Sequence, residues 1–265
     1  MHLLVNNTAS FVSTGSRPHK AGQPFLIFLH GSGQSHLSFA QQSRSFAYDG
    51  YNVVTPDFPG HGHSKGGALS TIEAMADWVI ALMDALHADD AILVGHSQSC
   101  LIVLELAARF PARVKAAAFI AGSAAIPVNE HLVAMAEKVE PKAIAAMMSW
   151  GSGLRGHKHD NTVPGASHIG TGIHLMSMNA SGALAADLKS CNAYQAGADQ
   201  AKKITCPTLC ILAERDRMTP MKAGRALADA LPNNRVSVVA GAGHMLTVEN
   251  PREVNTALRE FLSAH

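Results

Sequence analysis

The pentapeptide Gly95-His96-Ser97-Gln98-Ser99 carries the first recognisable chemistry in this sequence. It follows an apolar run at 91–94 that reads as a strand and precedes a helical pattern, so Ser97 falls on a tight strand-to-helix turn. A serine there is held in a strained backbone with its hydroxyl above the sheet edge. The helix N-terminus behind it offers free N–H groups and a positive dipole end to a developing oxyanion. The common pattern is G-x-S-x-G, and here the small residue Ser99 takes the last place. The competing reading is a plain strand–turn–helix junction whose serine only caps the helix.

Further residues fit the first reading. Gly241-Ala242-Gly243-His244 follows the last strand pattern, from which a histidine can swing over the sheet edge towards Ser97. Asp216 stands at the end of the preceding strand pattern. Glu214 lies nearer the strand and fits the turn less well. The chain order Ser, Asp, His is the one expected of a sheet that presents a serine nucleophile in this way. His30-Gly31-Ser32-Gly33 comes directly after another strand pattern, where glycines let backbone approach a substrate and supply an N–H beside that of Gln98.

These residues need a frame. Runs at 25–29, 51–54, 91–94, 116–121, 209–212 and 236–239 read as strands, several apolar on consecutive residues as strands covered on both faces require. Between them, Ser70-Thr71-Ile72-Glu73 is a capping-box pattern for a helix to 86. A second helix runs over 97–110 and stops before Pro111. Asn250-Pro251-Arg252-Glu253 opens a last helix to 262 with a cap and a first-turn proline. The alternation predicts a parallel sheet with helices on both faces. From 127 to 203 no strand is evident: helical stretches at 130–140 and 142–148 give way to a Gly/His/Ser-rich tract through Gly182. A stretch of that length is a lid, a binding loop or a disordered insert.

Composition excludes several classes. The chain has 265 residues, 47% hydrophobic and 15% charged, which is ample for a buried core and unlike a disordered chain. With 21 Lys and Arg against 20 Asp and Glu, no global field steers nucleic acid or an acidic membrane. No basic segment followed by a long apolar one opens the sequence, and the apolar window 116–128 is shorter than the roughly 18 residues of a membrane span. The four cysteines form no CxxC pair; Cys206 and Cys210 on a strand stand roughly 13 Å apart. A reduced, cytoplasmic protein is expected.

Together, His30-Gly31, Asp57-Phe58-Pro59-Gly60-His61-Gly62-His63-Ser64, Gly95-His96-Ser97, Asp216 and Gly243-His244 make the chain resemble the α/β-hydrolase superfamily over about residues 25 to 262. The resemblance implies Ser97 as nucleophile, His244 as general base, Asp216 as its orienting acid, and the backbone N–H groups of Gln98 and Ser32 as oxyanion donors. It implies an eight-stranded, mostly parallel sheet in a core of residues 1–126 and 204–265, with 127–203 as a cap inserted after the sixth strand. Serine at 97 separates the chain from the haloalkane dehalogenases and epoxide hydrolases, which it is otherwise similar to and which carry aspartate there.

The expected activity is serine hydrolysis of a small to medium, largely apolar ester, lactone or thioester through an acyl-enzyme, without cofactor or metal. The nearest alternative is a C–C bond hydrolase, although Gln34 stands where that group usually has Pro and Met245 where it tends to have Trp. Cofactor-free lyase or haloperoxidase-like chemistry uses the same parts. From another class, the chain could be a non-catalytic ligand receptor on a hydrolase scaffold. The expected partner is a small-molecule substrate, not nucleic acid or membrane; oligomeric state is not legible.

Other conspicuous residues have plainer readings. His30, His61 and His96 are expected as structural hydrogen-bonders around the site. His157-Lys158-His159-Asp160, with His168 and His174, matches no standard metal-ligand spacing. Met135, Met147, Met148, Met176 and Met178, with Trp150 and Tyr194, read as lid core or as an adaptable pocket lining. Candidate pocket residues are Gly31, Gly33, Met147, Trp150, Met176 and Met245.

Overall fold

Eight strands form one sheet in the computed structural model, which describes residues 1–157 and 167–264. They are β1 (His2–Val5), β2 (Thr8–Ser13), β3 (Phe25–Leu29), β4 (Asn52–Pro56), β5 (Ala91–His96), β6 (Val114–Ile120), β7 (Thr208–Ala213) and β8 (Asn234–Val239). Their order is β1-β2-β4-β3-β5-β6-β7-β8. β1 pairs antiparallel with β2 and β2 with β4, and every later pairing is parallel. The hairpin β1–β2 has no strong apolar pattern. Its turn is Asn6-Asn7, both at positive φ (49° and 62°), a conformation asparagine tolerates and tight hairpins need.

After β3 comes α1 (Ala40–Tyr48), after β4 α2 (Ile72–Ala85), and after β5 α3 (Gln98–Arg109). Between β6 and β7 lie α4 (Glu130–Lys138), α5 (Glu140–Gly151), α6 (Leu154–His157), α7 (His168–Met176), α8 (Ala183–Ala193) and α9 (Gly197–Ala201). The chain closes with α10 (Met221–Ala230), α11 (Leu246–Glu249) and α12 (Pro251–Leu262). The tract expected to be irregular therefore contains α7, started by Ser167, whose hydroxyl accepts the Gly170 N–H.

The unbroken apolar runs of the strands follow from the layering. Ile27, Leu29, Leu93, Phe119 and Cys210 point into one core beneath α2, α3 and α10, while Leu26, Phe28, Val94, Ile120 and Ile211 point into the other beneath α1 and α12. A third apolar cluster joins α5, α7 and α8 and includes Met147, Met148, Met176, Leu184 and Leu188, reaching Met245 on the core. Trp150 and Met178 are not part of it; they are half-exposed.

Two expected caps sit differently. Thr71, one residue after Ser70, is the cap of α2 and accepts from Ala74 N–H. Asn250 precedes α12 as expected, but its side chain does not cap the helix and instead donates towards Glu253. All four cysteines are unpaired. Among the described residues no helix is long and apolar enough to cross a membrane.

Candidate active site

β5 runs straight into Ser97, whose backbone turns to φ 55°, ψ −119° before α3 begins. That left-handed φ is costly for a residue with a Cβ, and such strain persists only where its surroundings enforce it. Three contacts do so. Ser97 N–H donates to Ile120 O on β6, and Cys100 N–H closes the turn onto Ser97 O. A Cβ on Gly95 would come within 2.5 Å of Ser99 O, so only glycine lets the turn fold back on itself. The Ser97 side chain makes no capping hydrogen bond to α3, which removes the reading of Ser97 as a helix cap.

The Ser97 hydroxyl instead lies 2.8 Å from His244 Nε2. His244 Nδ1 lies 2.8 and 3.0 Å from the two carboxylate oxygens of Asp216. Nδ1–H donating to the carboxylate leaves Nε2 as the acceptor for the serine proton. Asp216 follows β7 and is fixed by the N–H groups of Met218 and Thr219. Burial alone would raise Asp216; the facing His244 and the hydrogen bonds from His244 and Thr219 outweigh it, and the carboxyl titrates below its ordinary range. Glu214 is exposed and accepts from Gly241 N–H, away from His244. The arrangement can draw the Ser97 proton onto His244 while Asp216 holds the imidazole in one tautomer.

The loop after β3 lies beside the serine. A Cβ on Gly31 would stand 3.0 Å from Ser97 Cβ, so this glycine is a floor beneath the serine. Neither Ser32 N–H nor Gln98 N–H carries a hydrogen bond to a described residue, whereas Gly33 N–H is taken by Asp187 at 2.7 Å. Ser32 and Gln98 thus keep the free donors that charge arriving on an oxygen near Ser97 would need.

The neighbouring histidines are hydrogen-bonded. His30 Nδ1–H donates to Gly31 O and Nε2 accepts from Phe58 N–H; burial first, then His61, pushes its pKa down to about 4. His96 Nε2–H donates to His244 O, and burial followed by His244 pushes its pKa down to about 3. His61 bonds Asp187 and Pro59 O. Asp57 binds His36 and the N–H of His63, and is depressed by these bonds despite burial.

A cavity of about 150 Å³ opens onto Ser97 and His244, walled by Ile126, Leu132, Met147, Trp150, Leu188 and Met245. Gly31 and Gly33 do not line it; Gly33 packs against Met176 and Leu184. Met176 lines a second cavity, about 230 Å³; Gln34 and Met245, whose Nε2–H and Sδ approach at 3.2 Å, line both cavities. Among the described residues no group of three or more His, Cys, Asp or Glu is placed to hold a metal ion. His157 bonds Ser149 O, and Lys158, His159 and Asp160 lie outside the described residues.

Sequence reasoning passed over Thr219, whose hydroxyl is 2.8 Å from both Asp216 Oδ2 and Ala121 O. It also passed over Asp187 and Glu249; the latter accepts from Gly153 N–H and is pushed up by burial. Thr219 lies three residues after Asp216 and had a local signal, a hydroxyl in a turn after a carboxylate. Asp187 and Glu249 act across the fold and had none.

A doubly covered parallel sheet with a serine on the turn after its fifth strand and a histidine after its last defines the hydrolase class of α/β proteins. The chain belongs to the alpha/beta hydrolase family, whose model matches residues 26–257. It is 24% identical to mouse Protein ABHD8 over 249 residues, 89% of this chain and 54% of that one, so it spans about half the length of that relative. It is 24% identical to the (E)-2-((N-methylformamido)methylene)succinate hydrolase of Acinetobacter baylyi, covering 99% of this chain and 97% of that one. The enol-lactonase of Burkholderia xenovorans superposes with a TM-score of 0.89 at 22% identity, covering 99% of this chain and all of that one.

Proposed function

We propose that the protein is a serine hydrolase that cleaves a small to medium, largely apolar ester, lactone or thioester through an acyl-enzyme on Ser97. The observation that carries this reading is the continuous relay from Asp216 through His244 to the Ser97 hydroxyl, beside two N–H groups that meet no acceptor among the described residues. His244 takes the serine proton as Ser97 attacks the carbonyl carbon, and the oxyanion meets the N–H groups of Ser32 and Gln98. His244 returns the proton to the leaving group, and water attacks the acyl-enzyme by the same relay. Residues 127–203 act as a cap over this chemistry, and Met147, Trp150 and Met245 face the substrate.

Among the described residues, the walls of the Ser97 cavity carry no Lys or Arg. A dicarboxylate such as the succinate named for the Acinetobacter relative has no cation to meet there, which favours a neutral acyl compound. The enol-lactonase likeness is compatible with a lactone. The experiment is labelling with a fluorophosphonate, followed by a panel of chromogenic esters run beside a lactone, a thioester and a ring-cleavage dienoate. Labelling lost in Ser97→Ala, with esters or lactones turned over fastest, is the expected result. Labelling that survives in Ser97→Ala removes the nucleophile assignment, and a faster dienoate moves the activity to C–C bond hydrolysis.

A further inference from the structure

We propose that Asp187 on α8 is a positioning residue that holds the oxyanion site together from outside the core, an inference that rests on the acyl-transfer reading of Ser97. Both halves of that site are tied to this one residue. Its carboxylate Oδ2 accepts Gly33 N–H at 2.7 Å, in the loop that carries Ser32. Its backbone oxygen accepts the Gln98 side-chain N–H at 3.1 Å, and the same Gln98 amide donates to Ser190 Oγ at 2.9 Å, one turn further along α8.

The hold on Gly33 is two-sided. Asn179 Nδ2–H donates to Gly33 O at 2.6 Å, so both polar groups of this residue are engaged, one by α8 and one by the segment that leads into it. Gly33 stands at φ 67°, and a Cβ there would lie 2.8 Å from Met176 and 2.9 Å from Leu184, so the loop and the helix are in direct contact. Upstream, Gly31 O accepts from His30 Nδ1–H and Gln34 N–H. In a planar trans peptide the N–H points opposite to the C=O. Fixing Gly31 O therefore aims Ser32 N–H the other way, and fixing Gly33 stops the next peptide from rotating it out of line.

The carboxylate is 1% exposed and forms an ion pair with His61 at 2.9 Å. A protonated His61 donates from both ring nitrogens, to Asp187 Oδ2 and to Pro59 O. Burial opposes that charge, but Asp187 outweighs it and the His61 pKa is raised. The second carboxylate oxygen of Asp187 has no hydrogen-bond partner among the described residues, which leaves His61 to balance its charge. A buried charge of this kind is costly unless paired, and a fixed one is a rigid anchor for an N–H group. Asn179 also accepts Gly62 N–H, and Ala180 N–H donates to Gly60 O, so the same segment grips the loop carrying His61. Seating α8 and setting the oxyanion donors are one event.

The test uses the full chain with a p-nitrophenyl butyrate assay and amide hydrogen exchange, on the wild type, Asp187→Ala and Asp187→Asn. In Asp187→Ala, kcat is expected to fall at least 30-fold with KM within threefold of wild type. Asp187→Asn keeps an oxygen that can accept Gly33 N–H and is expected to recover at least fivefold of that loss. Exchange over residues 31–34 should quicken at least tenfold in Asp187→Ala while β5 is unchanged. If the stranded His61 charge prevents Asp187→Ala from folding, Asp187→Ala/His61→Leu removes both charges and should show the same split of kcat from KM. An Asp187→Ala variant with kcat within twofold of wild type, or with unchanged exchange at 31–34, overturns the role of Asp187. A wild type that turns over no acyl substrate and takes no fluorophosphonate label overturns the hydrolase reading instead, and the exchange measurement still decides whether Asp187 holds Gly33.

Discussion

The hydroxyl of Ser99 bonds the carbonyl oxygen of His30, joining the first turn of α3 to the loop that leaves β3. Ser99 is fully buried and occupies the place where the common serine-turn pattern has glycine. The departure from that pattern therefore adds a tie between the turn carrying Ser97 and the loop carrying Ser32.

Removing that tie should cost stability. Ser99→Gly leaves the His30 carbonyl buried without its partner, worth about 1–3 kcal/mol. The expected outcome is a lower denaturation midpoint in urea with an unchanged m-value. A midpoint equal to wild type would show that the bond contributes nothing.

The relay predicts a ranked loss of turnover. Asp216→Asn can no longer fix the His244 tautomer, and kcat should fall about 10⁴-fold. Thr219→Val removes one hydroxyl from Asp216 but leaves the Thr219 N–H in place, so its loss should be far smaller. Glu214→Gln, exposed and bonded to Gly241, should be silent. Steady-state kinetics on the best ester of the panel would check the order.

Glycine positions separate stability from activity. In Gly31→Ala the new methyl lies 3.0 Å from Ser97 Cβ and 3.1 Å from His96 Nδ1, so it displaces the serine and should lower kcat at least tenfold in a folded protein. In Gly95→Ala the methyl meets backbone at 2.5 Å that cannot move aside, and the expected loss is global, about 1–3 kcal/mol or more. Circular dichroism melts beside kinetics would distinguish the two.

Acid should destabilise the fold through its buried histidines. Burial holds His30 at about 4 and His96 at about 3, against about 6.5 in an unfolded chain. Between those values the unfolded chain binds protons that the native one refuses, so stability falls as pH drops from about 6.5 towards 4. His61 works in the opposite direction, since its raised pKa adds stability at low pH that is lost as pH rises through it. Melting temperature should decline over that acid window, and His96→Asn, which keeps a donor for His244 O, should flatten the decline.

The parts legible in the sequence are those whose causes are local. The central strands announce themselves because each residue is covered on one face or the other, and Gly95, Ser97 and His244 because a tight turn and a Gly-rich loop restrict what can stand there. The hairpin β1–β2 was hidden because its strands are partly exposed and lack a continuous apolar run. α7 was hidden because its two glycines and two histidines read as loop, although Ser167 caps it. Gly33 was expected in the pocket because it is a glycine in a substrate-side loop; its freedom serves the contact with Leu184 and Met176 instead. Asp187 is 154 residues from Gly33 in the chain, and no local pattern reports a hydrogen bond of that span.

Where residues 151–153 cross the loop before His244, bare backbone meets bare backbone. His244 N–H donates to Gly151 O, and a Cβ on either Gly153 or Gly243 would strike the other strand of the crossing. Glu249 clasps Gly153 N–H from the core side. A chimera that transplants residues 127–203 from another hydrolase therefore inherits a joinery condition: the graft must bring a glycine to meet Gly243, or the host must surrender the seat of its own histidine.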